Sequence, residues 1–187
     1  MNYATIKTND VANGPGVRVS LFVSGCRHHC KGCFNSEAWD FHYGSLFDEK
    51  TADTLLQALA PDYIDGISLL GGEPFEPENQ PELLHLLRRI KAELPQKSIW
   101  CYTGFCFETQ LLAGKVGDPA VCRALLSCID VLVDGKFEED KKDPSLIFRG
   151  SSNQNIIDVP ASLAQQRTVL LPGVWKRTMG SGNIYDA

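Results

Sequence analysis

The chain has 187 residues, 43% of them hydrophobic and 22% charged, with a formal net charge of −5. That length supports one domain with a real core rather than two well-developed ones, and no apolar run is long enough to cross a bilayer. The acidic balance and the lack of a long Lys/Arg block exclude a phosphate-neutralising nucleic-acid surface, so the expected partner is a protein or a small molecule.

The first residues, 1–7, lack the basic-then-apolar pattern of a secretory signal, and the expected location is the cytoplasm. Residues 17–23 alternate and then become continuously apolar, which predicts a strand running into Ser24-Gly25. Three cysteines follow at once, Cys26, Cys30 and Cys33, spaced C-x3-C-x2-C. Asp48 reads as a helix N-cap, with Leu55, Leu56 and Leu59 on one face and a stop before Pro61. Residues 64–70 predict a second strand that ends in Gly71-Gly72-Glu73-Pro74. Pro81 suits the first turn of the next helix, whose stripe is Leu83, Leu84, Leu87, Ile90 and Leu94.

A third strand is expected at 98–102, short helical stretches at 108–113 and from Asp118-Pro119 to about Cys128, and a fourth strand at 129–133. Beyond Lys136 the pattern weakens into a polar loop, then Arg149-Gly150-Ser151-Ser152-Asn153-Gln154, then β-like pieces at 156–157 and 168–171. Residues 180–183 read as flexible. Strands alternating with helices of this length predict an α/β fold with right-handed crossovers and a mainly parallel sheet. Ligand loops gather at the carboxyl ends of such strands, where every motif of interest falls.

Seven cysteines, an odd number with three crowded together, fit reduced thiols serving a metal better than a disulfide framework. Zinc takes four tetrahedral donors, and His28 or His29 would have to complete a Cys3His set. A residue between two cysteine ligands and adjacent to one is awkwardly placed to reach the same ion. An iron-sulfur cluster carries a cysteine at each coordinating corner, so three cysteines leave one iron open to another ligand. Three unrelated buried cysteines account poorly for a Gly-flanked loop holding His28, His29 and Lys31. Soft thiolates suit either metal, and from the cysteines alone both readings stay open.

The cysteine spacing resembles the signature of the radical S-adenosylmethionine enzymes. That resemblance implies Cys26, Cys30 and Cys33 as ligands of a 4Fe-4S cluster whose open iron takes the amino and carboxylate groups of S-adenosylmethionine. The aromatic residue usual before the third cysteine is replaced here by Gly32, and Phe34 follows Cys33; these three residues are expected beside the cofactor. Gly71-Gly72-Glu73-Pro74 alone reads as a tight turn whose glycines let backbone approach a ligand. Placed after the cysteine motif, it resembles the family segment that contacts the methionine amino group. Thr103, Asp134 and Lys136 follow predicted strands and are expected to make polar contacts to the cofactor carboxylate or ribose, with a solvated turn as the alternative.

Further segments narrow the resemblance: residues 13–18, 21–26, 131–137, 143–146 and 149–154 are similar to the glycyl-radical activases that serve anaerobic ribonucleoside-triphosphate reductases. The similarity spans about residues 1–158. It implies a shortened open βα barrel as a single domain and reductive cleavage of S-adenosylmethionine. It further implies hydrogen abstraction from a glycine of the reductase, and a low-potential electron donor such as flavodoxin. Residues 159–187 are then an extension packed on or trailing from that domain. Within enzymes the alternatives are another glycyl-radical activase or a carboxy-deazaguanine synthase-like protein; outside them, a zinc-binding interaction module. Cys122 and Cys128 read as small apolar core residues; Cys101 and Cys106 are too few to assert a second metal site. His42 and His85 read as ordinary surface or helix residues.

Overall fold

The computed structural model describes residues 1–173. Its strands are β1 (Asn2–Asp10), β2 (Arg18–Val23), β3 (Ser45–Leu46), β4 (Gly66–Gly71), β5 (Ser98–Tyr102), β6 (Val131–Asp134) and β7 (Asn155–Asp158). Its helices are α1 (Glu49–Leu59), α2 (Gln80–Glu93), α3 (Pro119–Cys128) and α4 (Val159–Gln165). The strands form one open sheet in the order β3-β1-β2-β4-β5-β6-β7. The expected parallel centre is there, since β2, β4, β5 and β6 all run the same way. The flanks turn back: β1 is antiparallel to β2 and to β3, and β7 is antiparallel to β6.

The central strands are buried on both faces, which is why they read as near-continuous apolar runs. Side chains alternate across the sheet. Val19, Leu21, Val23, Ile67, Leu69, Ile99, Cys101 and Leu132 join the leucines of α1, α2 and α3 in the main core. The other face holds a smaller apolar group around Trp100, Val131, Val133 and Ile156, with buried Arg18, Ser20 and Ser68 nearby in the same strands. Arg18 is satisfied by neutral acceptors, donating to Ser68 Oγ, Ser98 Oγ and the carbonyls of Ile67 and Ser98. Burial pulls its pKa down to about 10.

Helix starts follow their caps. Asp48 accepts from the Thr51 N–H at 2.8 Å, and Asp118 from the N–H groups of Ala120 and Val121. Asp48→Ala is expected to remove about 1 kcal/mol of stability, read in a thermal melt as a drop of about 2–4 °C.

The sequence did not give β1 away, because its side chains are mostly half-exposed or exposed and carry little apolar alternation. The stretch expected to be helical at 108–113 is a single wide π turn, Phe107–Leu111. β7 is longer than the piece expected at 156–157, and α4 follows it directly. Asp158 accepts from the Ala161 N–H to cap α4, and Val159 is fully buried in the main core. At 168–171 only a lone bridge between Leu170 and Ile157 forms. The flexible stretch expected at 180–183 lies outside the described residues.

Candidate metal centre

Where β2 ends, the chain is gripped from both sides before it reaches the cysteines. The N–H of Ser24 donates to Asn2 O, that of Gly25 to Ala38 O and that of Cys26 to Trp39 O. From the other side, the N–H groups of Gly72 and Glu73 donate to Val23 O and Gly25 O. The residues between the cysteines are then anchored one by one. Arg27 pairs with Glu76 and Glu78 and lies over the Phe41 ring at 4.4 Å. His29 takes a left-handed backbone with φ 48° and stacks on Trp39 at 4.5 Å. Lys31 pairs with Glu139 at 3.0 Å.

With these side chains held elsewhere, Cys26, Cys30 and Cys33 all line one cleft of about 540 Å³ at the carboxyl ends of the parallel strands. Cys26 is buried, and burial pushes its thiol up to about 11. Burial also raises Cys30, opposed by a hydrogen bond from the backbone of Phe137. Such thiols deprotonate readily only beside added positive charge, which iron or zinc supplies.

Across the cleft, Glu73 is the centre of a closed network and only 1% exposed. Its Oε1 accepts from Phe75 N–H and Thr103 Oγ1, both at 2.8 Å. Its Oε2 accepts from Gly104 N–H at 2.7 Å and lies 2.9 Å from His28 Nε2, which carries the proton in this arrangement. The His28 ring packs edge-on against Phe105 at 4.5 Å. Gly104 must be glycine, because a Cβ there would collide with the His28 ring. One carboxylate thus joins the cysteine loop to the loops after β4 and β5.

The glycines before Glu73 have a reason of their own. Gly71 sits at φ 110°, and a Cβ on Gly72 would run into the carbonyl oxygens of Gly25 and Ala38. Packing of the chain against itself therefore demands both, whether or not a ligand approaches.

Of the residues singled out from sequence, the cleft gathers Cys26, Cys30, Gly32, Cys33, Phe34, Gly71, Gly72, Glu73 and Thr103. Phe34 stands at 88% exposure. Three others are not among its lining residues. Pro74 is buried behind the turn, Lys136 is exposed, and Asp134 is buried with its carboxylate accepting from Phe107 N–H and Asn155 Nδ2. Asp134 follows a strand as expected, but β6 ends with that side chain turned into a structural network. The Thr103 hydroxyl likewise serves Glu73 rather than standing free. No local pattern signals the His28 to Glu73 contact, which joins residues 45 positions apart.

Cys101, Cys106, Cys122 and Cys128 are not among the cleft residues. Cys122 and Cys101 are fully buried in the main core. Among the described residues no three His, Cys, Asp or Glu side chains converge on a single ion. A lone zinc needs four donors each about 2.0–2.3 Å from it, whereas a cluster takes each thiolate on a separate iron. His28 and His29, the candidates for a fourth zinc ligand, are held by Glu73 and Trp39. The donor set fits a cluster of several irons better than one ion. The Tyr102 hydroxyl, in the same cleft, is buried with no partner among the described residues, leaving a donor open to whatever the cleft holds.

Comparison with known proteins agrees with the donor set. Residues 12–157 match the family described as 4Fe-4S single cluster domain. The anaerobic ribonucleoside-triphosphate reductase-activating protein of Pasteurella multocida (strain Pm70) is 46% identical over 158 residues, covering 83% of this chain and 96% of that one. The protein of the same name from Escherichia coli (strain K12) is 46% identical over 156 residues, 82% and 96% of the two chains. Its namesake from Enterobacteria phage T4 is 40% identical over 158 residues, 83% and 93%. None of the described helices is long and apolar enough to cross a membrane. The chain belongs to the family of anaerobic ribonucleoside-triphosphate reductase-activating proteins, with the single-cluster 4Fe-4S domain as its body.

Proposed function

We propose that the protein is a cytoplasmic radical S-adenosylmethionine enzyme that installs a glycyl radical on an anaerobic ribonucleoside-triphosphate reductase. The observation that carries this reading is the convergence of three thiols, with no fourth cysteine, on a cleft edged by Gly71 and Gly72. The relatives' shared name supplies the partner. Cys26, Cys30 and Cys33 would hold a 4Fe-4S cluster, which with three protein ligands would keep a position open for S-adenosylmethionine. When bound, the cluster supplies one electron for cleaving S-adenosylmethionine to methionine and a 5′-deoxyadenosyl radical, which takes a hydrogen atom from a reductase glycine.

The chain's own task is to bind, orient and exclude. Gly32, Cys33 and Phe34 would border the nucleoside, and the backbone at Gly71, Gly72 and Glu73 would face the methionyl amine. Glu73 and Thr103 act by fixing the loops, and Asp134 by shaping the end of β6; Lys136 sits outside the cleft, close enough to Cys30 to act on it through charge. Residues 1–158 form a shortened open βα barrel, extended by α4; the part of the expected extension from 174 to 187 lies outside the described residues. An open mouth bordered by exposed Phe34 and Val11 suits entry of a polypeptide loop. A flavodoxin-type protein supplies the electron.

The test is anaerobic incubation of the cluster-loaded protein with its partner reductase, S-adenosylmethionine and a reductant, followed by electron paramagnetic resonance. A glycyl radical doublet is expected. No doublet from an intact cluster and an authentic partner would sink the reading.

A further inference from the structure

The loop at 149–154 carries one charged side chain, Arg149. Arg149 lines the cleft; its Nη1 donates to Gln154 O at 2.6 Å, while its Nε is buried with no hydrogen-bond partner. Among the described residues no Asp or Glu pairs with it, in contrast to Arg27 and Arg89, each of which meets two or more acids. A guanidinium presents five donors in a planar fork. Half-buried without an acid, it bears a desolvation cost that an incoming anion would remove.

The loop is built to hold this side chain still. Phe148, just before it, takes a left-handed backbone at φ 56°, and its ring packs edge-on against Trp100 at 5.5 Å. A bulky residue keeps such a conformation only where its surroundings over-determine it, as at ligand clamps. Gln154 provides that constraint. Its side-chain oxygen accepts from the N–H groups of Gly150 and Ser151, and its amide donates to Gly135 O beyond β6 at 2.9 Å.

Position then says which anion. The Cys30 thiol is hydrogen-bonded by the backbone of Phe137, and the Phe137 ring lies so close to Gly150 that a Cβ there would sit 3.0 Å from it. Arg149 is thus one residue beyond a chain of contacts that begins at the cysteine loop. The acid across the cleft, Glu73, already has its donors and does not compete.

We propose that Arg149 receives the carboxylate of the methionyl group of S-adenosylmethionine. This rests on the function proposed above. The planar fork matches a carboxylate through two parallel hydrogen bonds. Lys136 is exposed and outside the cleft lining, and Lys142 is an exposed point charge on a flexible stem, so neither is as well set for the task.

The experiment measures equilibrium binding to the cluster-loaded full chain of two probes, S-adenosylmethionine and decarboxylated S-adenosylmethionine, which keeps the sulfonium, amine and nucleoside. Arg149→Gln should raise the Kd for S-adenosylmethionine by at least about tenfold and leave that for the decarboxylated compound within about twofold of wild type. Arg149→Lys should recover part of the loss. Equal weakening of both probes would show a structural role and overturn the proposal. Unchanged binding of both would overturn it too, and so would a wild-type protein indifferent to the carboxylate, a measurement that needs no variant to fold. If Arg149→Gln kept its affinity for S-adenosylmethionine but needed more reductase for half-maximal radical formation, the receptor would serve a carboxylate of the polypeptide and the proposal would fail. Wild-type protein that binds neither probe would fail the parent reading as well.

Discussion

With alanine in place of Cys30, anaerobically reconstituted protein is expected to hold well below the about four irons of a complete cluster and to cleave no S-adenosylmethionine above background. The geometry leaves no way round the loss. Cys26 is fixed by its backbone bond to Trp39 O, and the N–H of Cys33 closes a turn on the carbonyl of residue 30. Neither can slide to cover a missing corner. No substitute thiol stands in the cleft, because Cys101 and Cys122 are buried in the main core and Cys106 and Cys128 lie away from it. The nearby imidazoles are committed to Glu73 and Trp39. Iron and sulfide content with 5′-deoxyadenosine release are the measurements. Normal cleavage by Cys30→Ala would remove Cys30 from the ligand set.

Glu73→Gln should cost the fold about 3 kcal/mol or more, lowering the melting temperature by about 10 °C in a chain of this size. The two oxygens of Glu73 are surrounded entirely by donors: two N–H groups, one hydroxyl and one imidazole. An amide nitrogen in place of either oxygen turns a donor toward donors, and at least one buried N–H is left unpaired. Because the same carboxylate ties three loops together, the variant should also lose iron faster than wild type during chelation. A melting temperature within about 2 °C of wild type, under 1 kcal/mol at this size, would show that the network contributes little.

What the sequence revealed follows the physics of each segment. The parallel strands were legible because burial on both faces leaves them mostly apolar, broken by Arg18 and Ser20 in residues 18–23 and by Ser68 in residues 66–71. Helix starts were legible wherever an Asp cap announced them, as at Asp48 and Asp118. β1 was hidden because, beyond its short pairing with β3 at Asn2 and Tyr3, its outer side is uncovered and it pairs through its backbone without apolar alternation, so that Lys7 and Asn9 resemble any surface loop. The site divides the same way. Local spacing exposed the three cysteines and the Gly71 to Pro74 turn, since each is a short run of chain. The partners that fix them, Glu73 for His28 and Glu139 for Lys31, come from loops far along the chain. No local pattern encodes such a meeting, and the same holds for Asp134, whose fate was decided by Phe107 and Asn155.

The reach of these contacts along the chain also sets the timing of assembly. The cysteine loop is synthesised before all of its walls, which are the loops at 72–79, 103–105, 135–139 and 149–154. Pairings between such distant segments form slowly, and domains generally fold as units. Until β6 and β7 are paired, the three thiols are an exposed tripod with nothing to exclude oxygen or foreign metal. The cluster is therefore best delivered to a finished chain, and a nascent one left in air has its cysteines at risk long before it has a cleft to shelter them.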